Sequence, residues 1–353
     1  MHNTYTIYFR GMILLTFFVI VCCKKGDEPS ISNPGSGSDS VIIQPTGVYV
    51  SGYEDKGSTA VVSYWKNGSI TKLTDGSKYG YASDIYVLGS DVYVAGVESN
   101  GSKNVGKYWK NGKSVILTDG KYTATVNSLL VSGNDVYVAG AESNGTFAVA
   151  KYWKNGRSIN LSNGITNVYA RDIFVSNKDV FIVGDEYIGK KYVAKYWKNE
   201  MEINLTDGKN NAFAEAVYVK QNDVYIAGYE SNGYFTVGSY WKNGIKEELT
   251  DGTRDAFATD IYVSGNDVYV TGYEYYGDKS VAKYWKNGVE VQLSEKTGNA
   301  FATGLFISGN DVYITGNKLN GAKYVATYWK NGTEVMLSDE AYDVKTTSIF
   351  VTK

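Results

Sequence analysis

The sequence predicts an all-β fold, a seven-bladed β-propeller built from four-stranded blades with a 44-residue repeat. Three observations predict it. The seven tryptophans, Trp65, Trp109, Trp153, Trp197, Trp241, Trp285 and Trp329, each lie in the word YWKN and follow one another at steps of 44 residues; a fixed period of 20–50 residues marks a solenoid, propeller or array. Each copy breaks into four short apolar runs separated by Gly, Asn, Asp and Ser, and no window carries the i, i+3, i+4, i+7 apolar spacing of a helix. The chain also ends in Ser348-Ile349-Phe350-Val351, which matches the first strand of a copy (Asp172-Ile173-Phe174-Val175) with nothing after it, while the first copy starts at its second strand, Val48-Tyr49-Val50. The C-terminal strand, Ile349–Val351, is therefore expected to close the first blade as its innermost strand. Val41–Ile43, placed 44 residues before Ile85–Val87, is the rival for that slot.

In chain order, Arg10 precedes an apolar run, Met12 to Val21, followed by Cys22-Cys23-Lys24-Lys25-Gly26-Asp27-Glu28. The run is too short to span a bilayer, which takes about 20 residues, and has the length of a secretory h-region. It resembles a bacterial lipoprotein signal, in which the cysteine after the cut carries the lipid. Cys23 fits that role with the smaller residue before it, and Cys22 is the alternative. Residues 1–23 are read as a lipoprotein signal peptide, and the charged start after the cysteine implies an outer-membrane, surface-facing lipoprotein, with the periplasmic face as the alternative. Residues 24–46, rich in Gly, Ser, Pro and Asp (SISNPGSGSDS), are read as a flexible tether. The propeller is expected over 47–353.

Within the second copy, Asp84–Val87 reads as strand a, Asp91–Gly96 as b, Val105–Trp109 as c and Ser114–Leu117 as d. Asn111-Gly112 suits the positive φ of a two-residue hairpin turn. Strands a and b are apolar at consecutive positions, as expected for sheets covered on both faces. A valine (Val61, Val105 and their equivalents) and the tryptophan four residues on share a face, and a small residue such as Gly106 or Ala150 sits beside the valine so that sheets can stack closely. Two glycines recur in every copy, the sets beginning at Gly52 and Gly57, and are read as backbone that bends or takes φ > 0. A solenoid, the rival architecture, would want polar capping repeats, and neither end supplies one. In strand order the copy is similar to NHL-type blades. The repeat text DVYVAGYESNG…VAKYWKNG…LTDG resembles a group of Bacteroidota surface lipoproteins over Val48 to Val351; that resemblance implies no activity.

Composition excludes much chemistry. With 35 Lys+Arg against 37 Asp+Glu there is no basic excess for nucleic acid. The only histidine is His2 and the only cysteines are Cys22 and Cys23, so the repeat region holds no imidazole base, thiol nucleophile or Cys/His zinc site. No enzyme is expected and no cofactor.

The candidate ligand face is the mouth formed by the d–a and b–c loops, where the copies differ most. One strand-a position reads Tyr81, Thr125, Tyr169, Phe213, Phe257, Phe301 and Lys345; two further on stand Arg171 and Glu215; the next holds Asp84, Asp172 and Asp260 in alternate copies. The aromatics offer stacking platforms or fill gaps between blades. The aspartates offer oxygens to a hard cation such as Ca²⁺ in the channel, or bond neighbouring backbone. Of the further rings, Glu54 to Glu274, broken by Lys318, reads as structural in the b–c loop, and the lysines beginning at Lys66 read as solvated turn residues. The function expected is a membrane-anchored, monomeric module binding a protein or glycan. A carboxylate-dependent carbohydrate-active enzyme, pairing Glu215 with Asp172 or Asp260, and a structural spacer are the alternatives.

Overall fold

The computed structural model describes residues 47–339 and 341–353. Cys22, Cys23, the tether and Val41–Ile43 lie outside the described residues. Those described form seven four-stranded antiparallel sheets and no helix. Blade 2 is typical: Gly80–Leu88 (strand a), Asp91–Ser99 (b), Asn104–Lys110 (c) and Lys113–Ile116 (d). The innermost strands of blades 3 to 7 are Ala124–Ser132, Asn167–Ser176, Ala212–Lys220, Ala256–Ser264 and Ala300–Ser308. Blade 1 takes its innermost strand from the C-terminus: Asp343–Thr352 pairs with Gly47–Asp55, from Gly47↔Thr352 to Asp55↔Asp343. The chain is a closed seven-bladed propeller latched by its last strand.

No blade buries its own faces. Each of seven apolar clusters joins two neighbouring blades; Val62 of blade 1 packs with Ile85, Val94 and Trp109 of blade 2. The seventh joins last to first: Tyr313 and Ala326 of blade 7 meet Trp65, Val344 and Ile349 of blade 1. The tryptophans are at most 2 % exposed. Gly106 allows the expected close approach, since a Cβ there would stand 3.1 Å from the Val126 side chain of the next blade.

The c–d turn is the Asn-Gly hairpin predicted, with Asn111 at φ 50° and Gly112 at φ 79°. The rest of the YWKN word acts as a clasp. Val92 N–H donates to Asn111 Oδ1 at 2.9 Å, Asn111 Nδ2 donates to Asp91 Oδ1 at 2.7 Å, and Lys110 pairs with Asp91 at 2.8 Å above the Tyr93 ring. The lysines of blades 2 to 7 are thus ion-paired to an Asp of strand b rather than merely solvated. Blade 4 departs from the turn rule by placing Glu200, at φ 69°, where the others have glycine. Left-handed backbone costs an L-residue about 1 kcal/mol or more. Glu200→Gly should therefore raise the melting temperature by about 1–3 °C despite losing the 3.1 Å bond from Tyr152. A differential scanning trace showing a lower midpoint would contradict this.

The strands outrun the sequence expectation, most clearly strand a, which begins at Gly80 rather than Asp84. It continues through a β-bulge: Ala82 pairs with Gly96 and Asp84 with Ala95, leaving Ser83 extra. The same bulge recurs in all seven blades. It explains the Gly52 set, and corrects its reading as bent or positive-φ backbone. Opposite the bulge the partner strand meets a carbonyl; a Cβ on Gly96 would lie 2.1 Å from Tyr81 O, and on Gly272 1.9 Å from Phe257 O. Glycine is needed there for close approach. The Gly57 set does take positive φ, from 56° at Gly189 to 105° at Gly101.

Candidate functional site

The seven bulges set the site. An extra residue turns the strand locally and re-aims side chains, and here residues Ser83, Asn127, Arg171, Glu215, Thr259, Thr303 and Thr347 line the central channel. The following ring, which contains Asp84, Asp172 and Asp260, lines it as well. Two residues further, an aromatic collar encircles the axis: Tyr86 meets Phe350 at 4.9 Å between centroids, Phe350 meets Phe306 at 4.8 Å, and the contacts pass through Tyr262 and Tyr218 to Phe174. Leu130 stands at the equivalent place in blade 3.

The three aspartates brace the ring. Asp84 Oδ2 accepts the backbone N–H of Leu129 in the next blade at 2.7 Å and its Oδ1 that of Ile85 at 2.8 Å. Asp172 repeats this with Val217 at 2.7 Å, and Asp260 with Leu305 at 2.7 Å. Ser128 Oγ, between the first two, donates to both Asp84 and Asp172. Their oxygens are spent on backbone and serine. Among the described residues, no group of three or more His, Cys, Asp or Glu side chains is disposed to hold a metal ion. Desolvation raises all three carboxyls, Asp172 to about 7, against the pull of these hydrogen bonds; mutual repulsion adds to the rise at Asp172 and Asp260.

A carboxyl whose folded pKa lies above its unfolded value binds more protons in the native state between the two, so stability is fully present below about pH 4 and is lost as pH rises through about 7. Surface aspartates such as Asp91 and Asp135 shift down and act only below about pH 4. Asp172→Asn should therefore close on, and by pH 8 gain against, the wild-type melting temperature as pH rises from 4 to 8. A pH-independent difference would refute the assignment.

The mouth above this ring holds one ion-pair cluster. Arg171 Nε donates to Asp185 Oδ1 at 2.7 Å, and Tyr229 OH donates to Glu215 Oε1 at 3.0 Å. The Asp185 side chain is fully buried, and its Oδ2 has no hydrogen-bond partner. Burial alone would lower the Arg171 pKa; Glu215 and Asp185 together raise it, so the guanidinium stays charged. Burial, then Glu215, keeps Tyr229 protonated. The candidates Tyr81, Tyr169, Phe213, Phe257 and Phe301 are half-buried at the rim. All but Tyr169, which lies under Arg171, contact aromatics of strand b that the sequence did not single out: Phe213 meets Tyr229 at 5.0 Å, Tyr229 meets Phe257 at 4.9 Å, and Phe257 stacks on Tyr273 at 5.0 Å. Tyr53 meets Tyr81 at 6.2 Å. Blades 2 and 3 break this arc with Val97, Thr125 and Ala141. A depression of about 290 Å³ opens beside the break, its lining including Tyr53, Tyr81, Ser83, Asn127, Arg171 and Glu215. Glu215, Asp172 and Asp260 do share the channel mouth.

The remaining rings pair within their own blades. Glu98 and Glu142 bind Lys107 and Lys151 of strand c at 2.5 and 2.7 Å. The two blades with Ser at the strand-c position, Ser63 and Ser239, draw the cation from strand d, Lys72 for Glu54 and Lys246 for Glu230. Blade 7 reverses the polarity, Lys318 with Glu334 at 2.6 Å.

No protein-family model and no curated protein matches the chain. Solved structures do. The acylaminoacyl peptidase of Pyrococcus horikoshii superposes with a TM-score of 0.50 and 11 % identity over 84 % of this chain and 51 % of its own. TolB from Acinetobacter baumannii gives 0.44 and 8 %, over 86 % and 67 %. The likeness is one of fold. This chain spans about half the length of the peptidase, and identities this low carry no residue of either protein onto the propeller's mouth.

Proposed function

We propose that the protein is a binding module that engages a protein or glycan ligand at the channel mouth. The observation that supports this is where the copies diverge. The bulged ring reads Ser, Asn, Arg, Glu, Thr, Thr and Thr around the axis, whereas the Lys–Asp clasps behind it repeat through blades 2 to 7. Packing needs no such inequality, and a rigid scaffold presenting unlike groups on one rim suits recognition. The reading is non-enzymatic, because Asp172 and Asp260 are engaged by backbone N–H groups. The module is carried on an outer membrane by a lipid at Cys23, with Cys22 as the alternative, as the Bacteroidota-type signal resemblance implies.

A glycan array and a pull-down with the full chain test the mouth; silence in both, or binding that survives Tyr81→Ala and Asn127→Ala together, would count against it. For the anchor, Cys23→Ser should abolish labelling by an alkyne fatty acid and release the chain from membranes. Retention of label in that variant and loss in Cys22→Ser would move the lipid to the neighbouring cysteine.

A further inference from the structure

We propose that the depression between Tyr81 and Arg171 is a subsite for one uncharged, hydroxyl-rich sugar ring at the end of a glycan; this rests on the mouth being the ligand face. Size comes first. About 290 Å³ lies at the bottom of the roughly 300–1,000 Å³ range of small-ligand pockets, enough for a single ring and too small for an oligosaccharide or a folded peptide motif.

Charge comes next. Arg171 donates to Asp185 and stands beside Glu215. The lining of the depression itself carries one cation, Arg171, and one carboxylate, Glu215, and so offers no net charge to select an acid or an amine. What it offers is a fan of fixed polar groups. The Asn127 and Thr347 side chains stand in the lining, with the Asn127 amide nitrogen held by Ala170 O at 2.7 Å. Glu215 binds Tyr229 through one of its two oxygens, and Arg171 binds Asp185 through Nε, one of its three nitrogens. Vicinal hydroxyls, each both donor and acceptor, satisfy such a set without bringing in charge.

Shape agrees. Tyr53 and Tyr81, tilted at 52°, form an aromatic wall at the edge of the depression on which the C–H face of a pyranose can rest.

The test is titration of the full chain with glucose, galactose, mannose, fucose and N-acetylglucosamine, beside glucuronate and glucosamine, read by ligand-observed NMR and calorimetry. At least one neutral sugar should bind, and Tyr81→Ala should weaken it about tenfold. Asn127→Ala, which disturbs no ion pair, serves as the second variant and should weaken it severalfold, with each variant's melting curve confirming the fold. Binding only of glucuronate or only of glucosamine overturns the neutral subsite, as does neutral binding unchanged in both variants, or no binding by any of the seven. If no sugar binds but a protein captured in the pull-down is lost in Tyr81→Ala, the sugar subsite fails while the mouth remains the ligand face.

Discussion

Truncation before Asp343 should leave no cooperative thermal transition. The last strand gives the first blade its innermost member and the ring its closure. Val344, Ile349 and Val351 are each 3–4 % exposed in the cluster joining the first and last blades. Burying such side chains is worth about 1.5–3 kcal/mol each, and together that approaches the ~5–15 kcal/mol net stability of a typical protein. Loss of the strand also exposes one blade face to water on each side of the gap. Circular dichroism melts and limited proteolysis would read it, and Ile349→Ala, expected to cost about 2–5 kcal/mol, provides the graded version. A truncated chain melting sharply within a few degrees of the intact one would show that the strand only decorates a ring closed by other means.

The second large effect is expected at Gly184. A Cβ there would stand 1.9 Å from Tyr169 O and 2.9 Å from its carbon, and both are backbone atoms that cannot swing aside. Gly184→Ala should cost about 3 kcal/mol or more, because the bulge or the strand pairing has to move. Gly189→Ala makes the comparison, since it has φ +56° and nothing within 4 Å of the added atom. It should cost only about 1 kcal/mol, the price of left-handed backbone. Chemical denaturation of both variants gives the ratio. Equal costs would mean that close approach is not why the first glycine recurs.

The same glycine marks the limit of what could be read from the chain. The 44-residue period, the Asn-Gly turns and the orphan Ile349–Val351 strand were legible because each is a local or repeated signal. The bulge was not, for its extra residue differs from copy to copy and its only constant trace is a glycine on the partner strand. Arg171 and Asp185 occur once each and are joined only by the register across that bulge. By contrast, the pairing of the Glu ring was hidden but recoverable. Copies with Ser63 or Ser239 in strand c are the ones carrying Lys72 or Lys246 in strand d, and the reversal at Lys318 meets Glu334. The candidates Tyr81, Tyr169, Phe213, Phe257 and Phe301 do lie on one rim, but Tyr53, Tyr229 and Tyr273 reach it from strand b, a direction that period alone does not reveal.

Strand polarity gives the propeller a front and a back. The C-terminal strand runs from Lys345 and Thr347 at the mouth to Thr352 at the far end, where Gly47 N–H donates to Thr352 Oγ1 at 3.1 Å. Both ends of the folded ring therefore emerge together on the side turned away from the depression. A label or surface linkage attached at Lys353 sits on the face opposite the depression and leaves the channel mouth uncovered.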